Sequence, residues 1–211
     1  MSVPRRGDLP VGGTSASAWR GRADDTAAEA VAGHVLRGSP GLGPVRLVTI
    51  DGPSGSGKST FAARVLARLR ARGVATVLVP TDDFATWEEP VRWWPRLRSG
   101  VLEPLSRGRP GRYRRVEWPE GVPVTGGTVE VPVPDVLVLE GVSSGRAELA
   151  GRVTTAVWTE LADAATRLAR AVARDGVDSR AELLRWQEFE RHWFEVDRTG
   201  QRADFVVTPA G

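Results

Sequence analysis

The sequence predicts an α/β fold in which one parallel sheet carries helices on both faces. Three observations lead there. Residues 45–50 (Val-Arg-Leu-Val-Thr-Ile) are followed by a glycine-rich turn, a helical stretch and a second apolar run at 74–79. That succession is a βαβ unit, and its crossover requires a parallel pair. Further apolar runs at 136–139, 153–158 and 205–207 raise the strand count to five, and unbroken apolar runs are what strands covered on both faces need. Between the last strands, apolar residues recur at helical spacing, which places helices on the connections. At 211 residues the chain suffices for one such domain and its core.

In order along the chain, residues 1–23 are rich in Gly, Pro, Ser and Arg with isolated apolar residues, the composition of a disordered tail; residues 24–211 are assigned to a single domain. Residues 25–37 are Ala-rich with Val31, Val35 and Leu36, and predict a short helix stopped by Gly38-Ser39-Pro40-Gly41. After the first core strand, residues 58–72 predict a helix, because Phe61, Val65 and Leu69 recur every fourth position and Gly73 can end it. The long middle section, 81–134, has many Pro, Gly, Arg and Trp and little periodicity; short helices near 91–105 and a small hairpin turning at Gly126-Gly127 are expected. Residues 161–174 predict a helix with Leu161, Ala165, Leu168 and Val172 on one face. Ser179 and Glu182 have capping-box spacing and open a further helix, with Trp186, Phe189, Trp193 and Val196 as its inner stripe. There is no internal repeat.

Composition excludes several functions. The 29 basic residues are 28 arginines and one lysine, Lys58, against 26 acids, for a net charge of +3. The isoelectric point of about 10.4 nevertheless looks strongly basic. It is a buffering effect: with one Lys, one Tyr and no Cys, little loses charge between about pH 7 and 12. Neither nucleic acid nor a membrane is an expected partner. Absence of Cys rules out a disulfide framework, a Cys nucleophile and Cys-ligated metals, and the two histidines, His34 and His192, are far apart in sequence. No run approaches the roughly 18 apolar residues of a membrane span, and no apolar segment follows Arg5-Arg6, so a cytoplasmic location is expected.

The single lysine sits in Gly52-Pro-Ser-Gly-Ser-Gly57-Lys58-Ser59, which satisfies G-x-x-x-x-G-K-[ST] between a strand and a helix. At the chain's own residue frequencies, a lone lysine acquires these neighbours by chance roughly 0.2 % of the time. The motif predicts binding of ATP with Mg²⁺. Gly52, Ser54, Gly55, Ser56 and Gly57 shape a loop whose N–H groups surround phosphate. Lys58 bridges the outer phosphates, Ser59 offers its hydroxyl to the metal, and Thr60 is placed to touch the α-phosphate. A GTPase would need a second lysine for its base reader, and no Leu-Ser-Gly-Gly occurs, so phosphotransferases and generic ATPases remain. Asp82-Asp83-Phe84 leaves the second strand at its carboxyl end, where a carboxylate can take the proton of an acceptor hydroxyl. Glu140, closing the run Val-Leu-Val-Leu, has the place of an acid that holds Mg²⁺ through water. Arg167, Arg170 and Arg174 form one row opposite the apolar stripe of their helix, and Asp175-Gly176-Val177-Asp178 after them can hinge a lid.

This order of motifs, together with Thr166-Arg-Leu-Ala-Arg-Ala-Val-Ala-Arg-Asp175, resembles the uridine kinase family, part of a P-loop kinase group that includes phosphoribulokinase and bacterial pantothenate kinase. The resemblance spans about residues 45–207. It implies a P-loop kinase fold with five parallel strands ordered 2-3-1-4-5, a substrate insertion at 84–134 and a lid at 174–180. It further implies Asp82 as base and metal neighbour, Glu140 as the magnesium acid, and Arg167, Arg170 and Arg174 as lid arginines. The implied reaction is γ-phosphoryl transfer from ATP to a hydroxyl of a small molecule, most simply a nucleoside.

The acceptor segment departs from that pattern. Phe84-Ala85 stands where uridine kinases have Phe-Tyr, and Val116-Glu117-Trp118 replaces their Tyr-Asp-Phe. Asp83, Phe84, Trp87, Tyr113, Arg114 and Trp118 are the candidate acceptor contacts. Residues 92–115 carry eight arginines against one acid, Glu103, with Trp87, Trp93, Trp94 and Trp118 about them. Such a set can clamp an anion or stack on a ring, or it can simply pack the insertion. A non-nucleoside or anionic acceptor is therefore the first alternative, and an ATPase switch that uses the insertion to hold nucleic acid is the second.

Overall fold

A computed structural model describes residues 18–209. Its centre is a six-stranded parallel sheet. In chain order the elements are β1 (Trp19–Arg22), α1 (Asp25–Arg37), β2 (Arg46–Asp51), α2 (Lys58–Arg70), β3 (Thr76–Pro80), α3 (Trp94–Leu97) and α4 (Glu103–Ser106). There follow β4 (Gly111–Glu117), β5 (Val124–Val131), β6 (Val136–Glu140), β7 (Thr155–Thr159), α5 (Ala164–Asp175), α6 (Arg180–Asp197) and β8 (Phe205–Thr208). The sheet order is β1-β8-β7-β2-β6-β3.

The sheet thus has six strands where five were expected, and its order differs by β1, which is added beside β8 to strands that otherwise run β3-β6-β2-β7-β8. The added strand comes from the segment assigned to a disordered tail. β1 pairs with the free edge of β8, Trp19 opposite Phe205, and the Trp19 ring lies 5.7 Å from that of Phe205. Trp-Arg-Gly-Arg has no apolar period, so an edge strand there is invisible without its partner. The rest of the expected tail, 1–17, lies outside the described residues.

Alternation along the central strands makes two cores. Val48 and Ile50 of β2 and Val136 and Val138 of β6 face α1 and α2, burying Val31, Val35, Phe61, Val65 and Leu69. Leu47 of β2, Leu137 and Leu139 of β6 and Val79 of β3 face the other way. Onto them packs the insertion, through Phe84, Trp93, Leu97, Val101, Leu105 and Tyr113. α1 has the expected bounds because Asp24 caps it, accepting from Ala27 N at 2.9 Å.

Several local expectations need correction. The hairpin exists as β4 and β5, but Gly126 and Gly127 lie within β5; the reversal is at residues 118–123, where Glu120 and Gly121 take positive φ. α5 starts at Ala164 rather than near 161, because the Asp163 carboxylate accepts from the Ala165 and Thr166 N–H groups. Ser179 does not form the expected capping box: its hydroxyl donates to the Asp175 carbonyl at 3.1 Å. On α6 the inner stripe is not the purely apolar one expected, for Val196 is exposed while Glu190 is 1 % exposed.

Candidate active site

Register places the chemistry. Ile50 of β2 and Pro80 of β3 both pair with Glu140 of β6, so three strands end together at the carboxyl edge of the sheet. The glycine-rich loop, Asp82 and Glu140 leave from those ends. Gly141 permits the approach: at φ 127° it lies against Thr81, whose Cβ would stand 3.1 Å from any added Cβ. Gly55, at φ 77°, likewise lets the loop rest on α5, since an added Cβ would stand 2.9 Å from the Arg167 carbonyl carbon.

In the loop, Lys58 is 9 % exposed and its Nζ donates to the Pro53 carbonyl at 3.1 Å. Ser56 and Thr159 share a hydroxyl hydrogen bond of 2.5 Å, which ties the loop to the end of β7. The Ser59 hydroxyl donates to Glu140 Oε1 at 3.1 Å. Burial pushes the Glu140 carboxyl up, opposed by the Lys58 charge and abetted by the Asp82 charge. Hydroxyl and carboxylate oxygens of this kind suit Mg²⁺, which keeps waters and phosphate oxygens as its other ligands. Ser59, Glu140 and Asp82 would hold it. Among the described residues no group of three or more His, Asp or Glu forms a cage of its own.

A cleft of about 920 Å³ opens here, lined by Ser54, Ser59, Asp82 and Arg174 together with Trp87, Trp118, Glu120, Asp178 and Trp186. Trp87 meets Trp118 edge-on at 5.0 Å and Trp186 at 5.9 Å, while its indole N–H donates to the Gly121 carbonyl. The three rings form one wall.

No family model and no curated protein matches the chain. Solved structures do. A possible uridine kinase from Bacillus stearothermophilus superposes with a TM-score of 0.63 at 17 % identity, over 86 % of this chain and 97 % of that one. A proposed fructose transport system kinase from Silicibacter sp. TM1040 gives 0.53 at 20 % identity over 86 % and 97 %, and a D-glycerate 3-kinase from Cryptococcus neoformans gives 0.52 at 14 % over 86 % and 93 %. The chain has the fold of the uridine kinase group of P-loop kinases.

Within that P-loop kinase fold the expected residues separate into groups. The loop residues, Asp82 and Glu140 converge, and Asp82 is exposed to the cleft. Asp83 turns away: it accepts from the Tyr113 hydroxyl at 2.5 Å, and burial pushes its carboxyl up. Phe84 is fully buried and stacks 4.5 Å from Tyr113, so these two belong to the core of the insertion rather than to the cleft wall. Arg114 reaches the Gly126 carbonyl across the hairpin. Of the arginine row, only Arg174 lines the cleft, held bidentately by Asp175 at 2.6 Å. Arg167 donates to the Leu161 and Ala162 carbonyls, and Arg170 is exposed elsewhere.

The insertion's tryptophans also divide. Trp93 and Trp94 pack on Arg146, whose guanidinium lies 4.6 Å from Trp94 and 5.0 Å from Trp193 of α6. They join the insertion to the domain, whereas Trp87 and Trp118 face the cleft. Two residues escaped the sequence reading. Trp186 appeared only as part of a packing stripe, and Glu190 was unmarked, although an acid at the seventh position after Leu183 on an inner helical face is a legible anomaly.

Proposed function

We propose that the chain is an ATP-dependent phosphotransferase whose acceptor is the hydroxyl of a small, uncharged, ring-bearing molecule such as a nucleoside. The observation that carries this reading is a single cleft lined by Ser59 and Asp82 together with three tryptophans, with Glu140 bonded to Ser59 and Lys58 next to Ser59 in the chain. Aromatic faces stack on flat rings. Glu120 and Asp178 on the cleft lining argue against an acceptor carrying phosphate or carboxylate. None of the eight insertion arginines lines the cleft: Arg98 pairs with Glu103, Arg115 with Glu117, Arg96 donates to the Phe84 carbonyl, and Arg109 and Arg112 line a separate shallow hollow.

In this reading the acceptor oxygen bonds to the γ-phosphorus as the bond to ADP breaks, and the hydroxyl proton passes to Asp82. A magnesium ion held by Ser59, Glu140 and Asp82 would supply charge neutralisation to the phosphates. Lys58 holds the outer phosphate oxygens, the loop N–H groups fix the chain of phosphates, and Arg174 closes on the transferring group once freed from Asp175. ADP release should appear with one member of a panel of nucleosides, sugars and hydroxy acids and stay at background without acceptor. Asp82→Asn should lower kcat by about 10²–10⁴, a far larger loss than any in ADP·Mg affinity. Acceptor-independent turnover would favour the ATPase alternative, and full activity in Asp82→Asn would remove the assigned base.

A further inference from the structure

Glu190 is a buried carboxylate to which the proposed chemistry gives no task. It projects from the middle of α6, 1 % exposed, and receives three short contacts from one loop residue. The Ser54 N–H lies 3.0 and 2.9 Å from its two oxygens, and the Ser54 hydroxyl donates to Oε2 at 2.8 Å. The peptide unit between Pro53 and Ser54 is thereby held from both sides, because its carbonyl accepts from Lys58 Nζ at 3.1 Å. One peptide group spans a cation and an anion, its C=O toward the ammonium and its N–H toward the carboxylate.

When Lys58 turns to a phosphate, the Pro53 carbonyl keeps only the bond from the Ser56 N–H at 3.1 Å, and the N–H side of the peptide rests on Glu190 alone. We propose that Glu190 is a positioning residue of the phosphate loop, which keeps the peptide between Pro53 and Ser54 in place while Lys58 leaves it for the nucleotide. This rests on the nucleotide-binding role of the loop. The groups facing Glu190 are Lys58 from α2 and Arg167 from α5, with Arg191 and Glu195 beside it on its own helix. Burial raises its carboxyl, while Lys58 and the Ser54 donors favour the charged form. Only the carboxylate accepts from both Ser54 groups without offering a competing donor.

The sign of one measurement separates this role from two simpler ones. ADP·Mg affinity is measured calorimetrically for the full chain and for Glu190→Gln, which keeps the shape, and Glu190→Asp, which keeps the charge but withdraws it by one methylene. Positioning predicts that both bind ADP·Mg weaker by about tenfold or more. It also predicts that Ser54→Ala adds little in the Glu190→Gln background. The ratio of wild-type to Glu190→Gln affinity should fall as pH drops through the Glu190 range, groups common to both proteins cancelling. A mere counter-charge to Lys58 would make Glu190→Gln bind tighter, and a mere structural brace would lower the melting temperature of both variants with unchanged affinity; either result overturns the proposal. Wild-type affinity in Glu190→Asp overturns it as well. A wild-type chain that binds no ADP·Mg sinks the kinase reading together with this one, whereas a wild type that binds beside variants that bind equally sinks this one alone.

Discussion

Gly55→Ala tests whether the glycine-rich loop and α5 share one packed contact. Two costs are separable. At φ 77° an alanine is in the left-handed region, which costs about 1–2 kcal/mol. Its Cβ would also lie 2.9 Å from the carbonyl carbon of Arg167 and closer to the oxygen. That neighbour is backbone of α5 and cannot swing aside, so overpacking adds about 1–3 kcal/mol. Gly73 is the internal control. Its φ is 73°, nearly the same, and an added Cβ meets nothing within 4 Å. Gly73→Ala therefore carries only the backbone cost, at the far end of α2 and about 20 Å from the loop. With roughly 2–4 °C per kcal/mol for a chain of this size, Gly73→Ala should melt about 2–8 °C below wild type and Gly55→Ala about 4–20 °C below. Differential scanning calorimetry gives both, and ADP·Mg titration should show weakened binding for Gly55→Ala alone. Equal losses of melting temperature in the two variants, or wild-type ADP·Mg binding by Gly55→Ala, would refute the claim that α5 rests on the loop.

Two further outcomes are expected. Lys58→Arg conserves charge but places a broad planar fork where a 9 % exposed ammonium now fits, and should lose at least about 100-fold in kcat/KM for ATP in steady-state assays; wild-type turnover would contradict this. Asp51 is buried, accepts from the Gly52, Ser143 and Gly145 N–H groups, and has its carboxyl pushed up to about 7 by burial, against the pull of those donors and of Lys58. A raised carboxyl keeps its proton longer folded than unfolded, so its contribution is complete below about pH 4 and is lost as pH rises through 7, by up to about 4 kcal/mol. Melting temperatures across that window should decline in wild type and flatten in Asp51→Asn; identical slopes would remove Asp51 as the cause.

Much of the site was legible because it is local. The loop motif needs eight consecutive residues, and a strand before it and a helix after it are readable from apolar spacing, so Lys58, Ser59 and the strand-end acids Asp82 and Glu140 stand out before any fold is known. Side-chain direction is not local in that sense. Asp82 and Asp83 are neighbours, yet one faces the cleft and the other holds Tyr113, thirty positions on, because the 3₁₀ turn at Thr81–Asp83 sends them opposite ways. The arginine row was spaced correctly on one helix face, but Arg167 is drawn to the carbonyls that precede its own helix and only Arg174 reaches the cleft. The eight arginines of the insertion are a compositional signal without an address, since exposure and pairing depend on which surface of the insertion meets the sheet.

The sequence by itself determined a parallel α/β domain with a phosphate loop, and the one lysine among 28 arginines marked where a compact ammonium is required. Tertiary structure alone decided the sixth strand, the tryptophan wall and the Glu190 clamp. Each is made by residues far apart in the chain: Trp19 with Phe205, Ser54 with Glu190, Trp87 with Trp186. Hydrophobic period reports which face of an element turns inward, whereas it carries no record of what stands opposite, and both the tryptophan wall and the buried carboxylate are properties of that opposition.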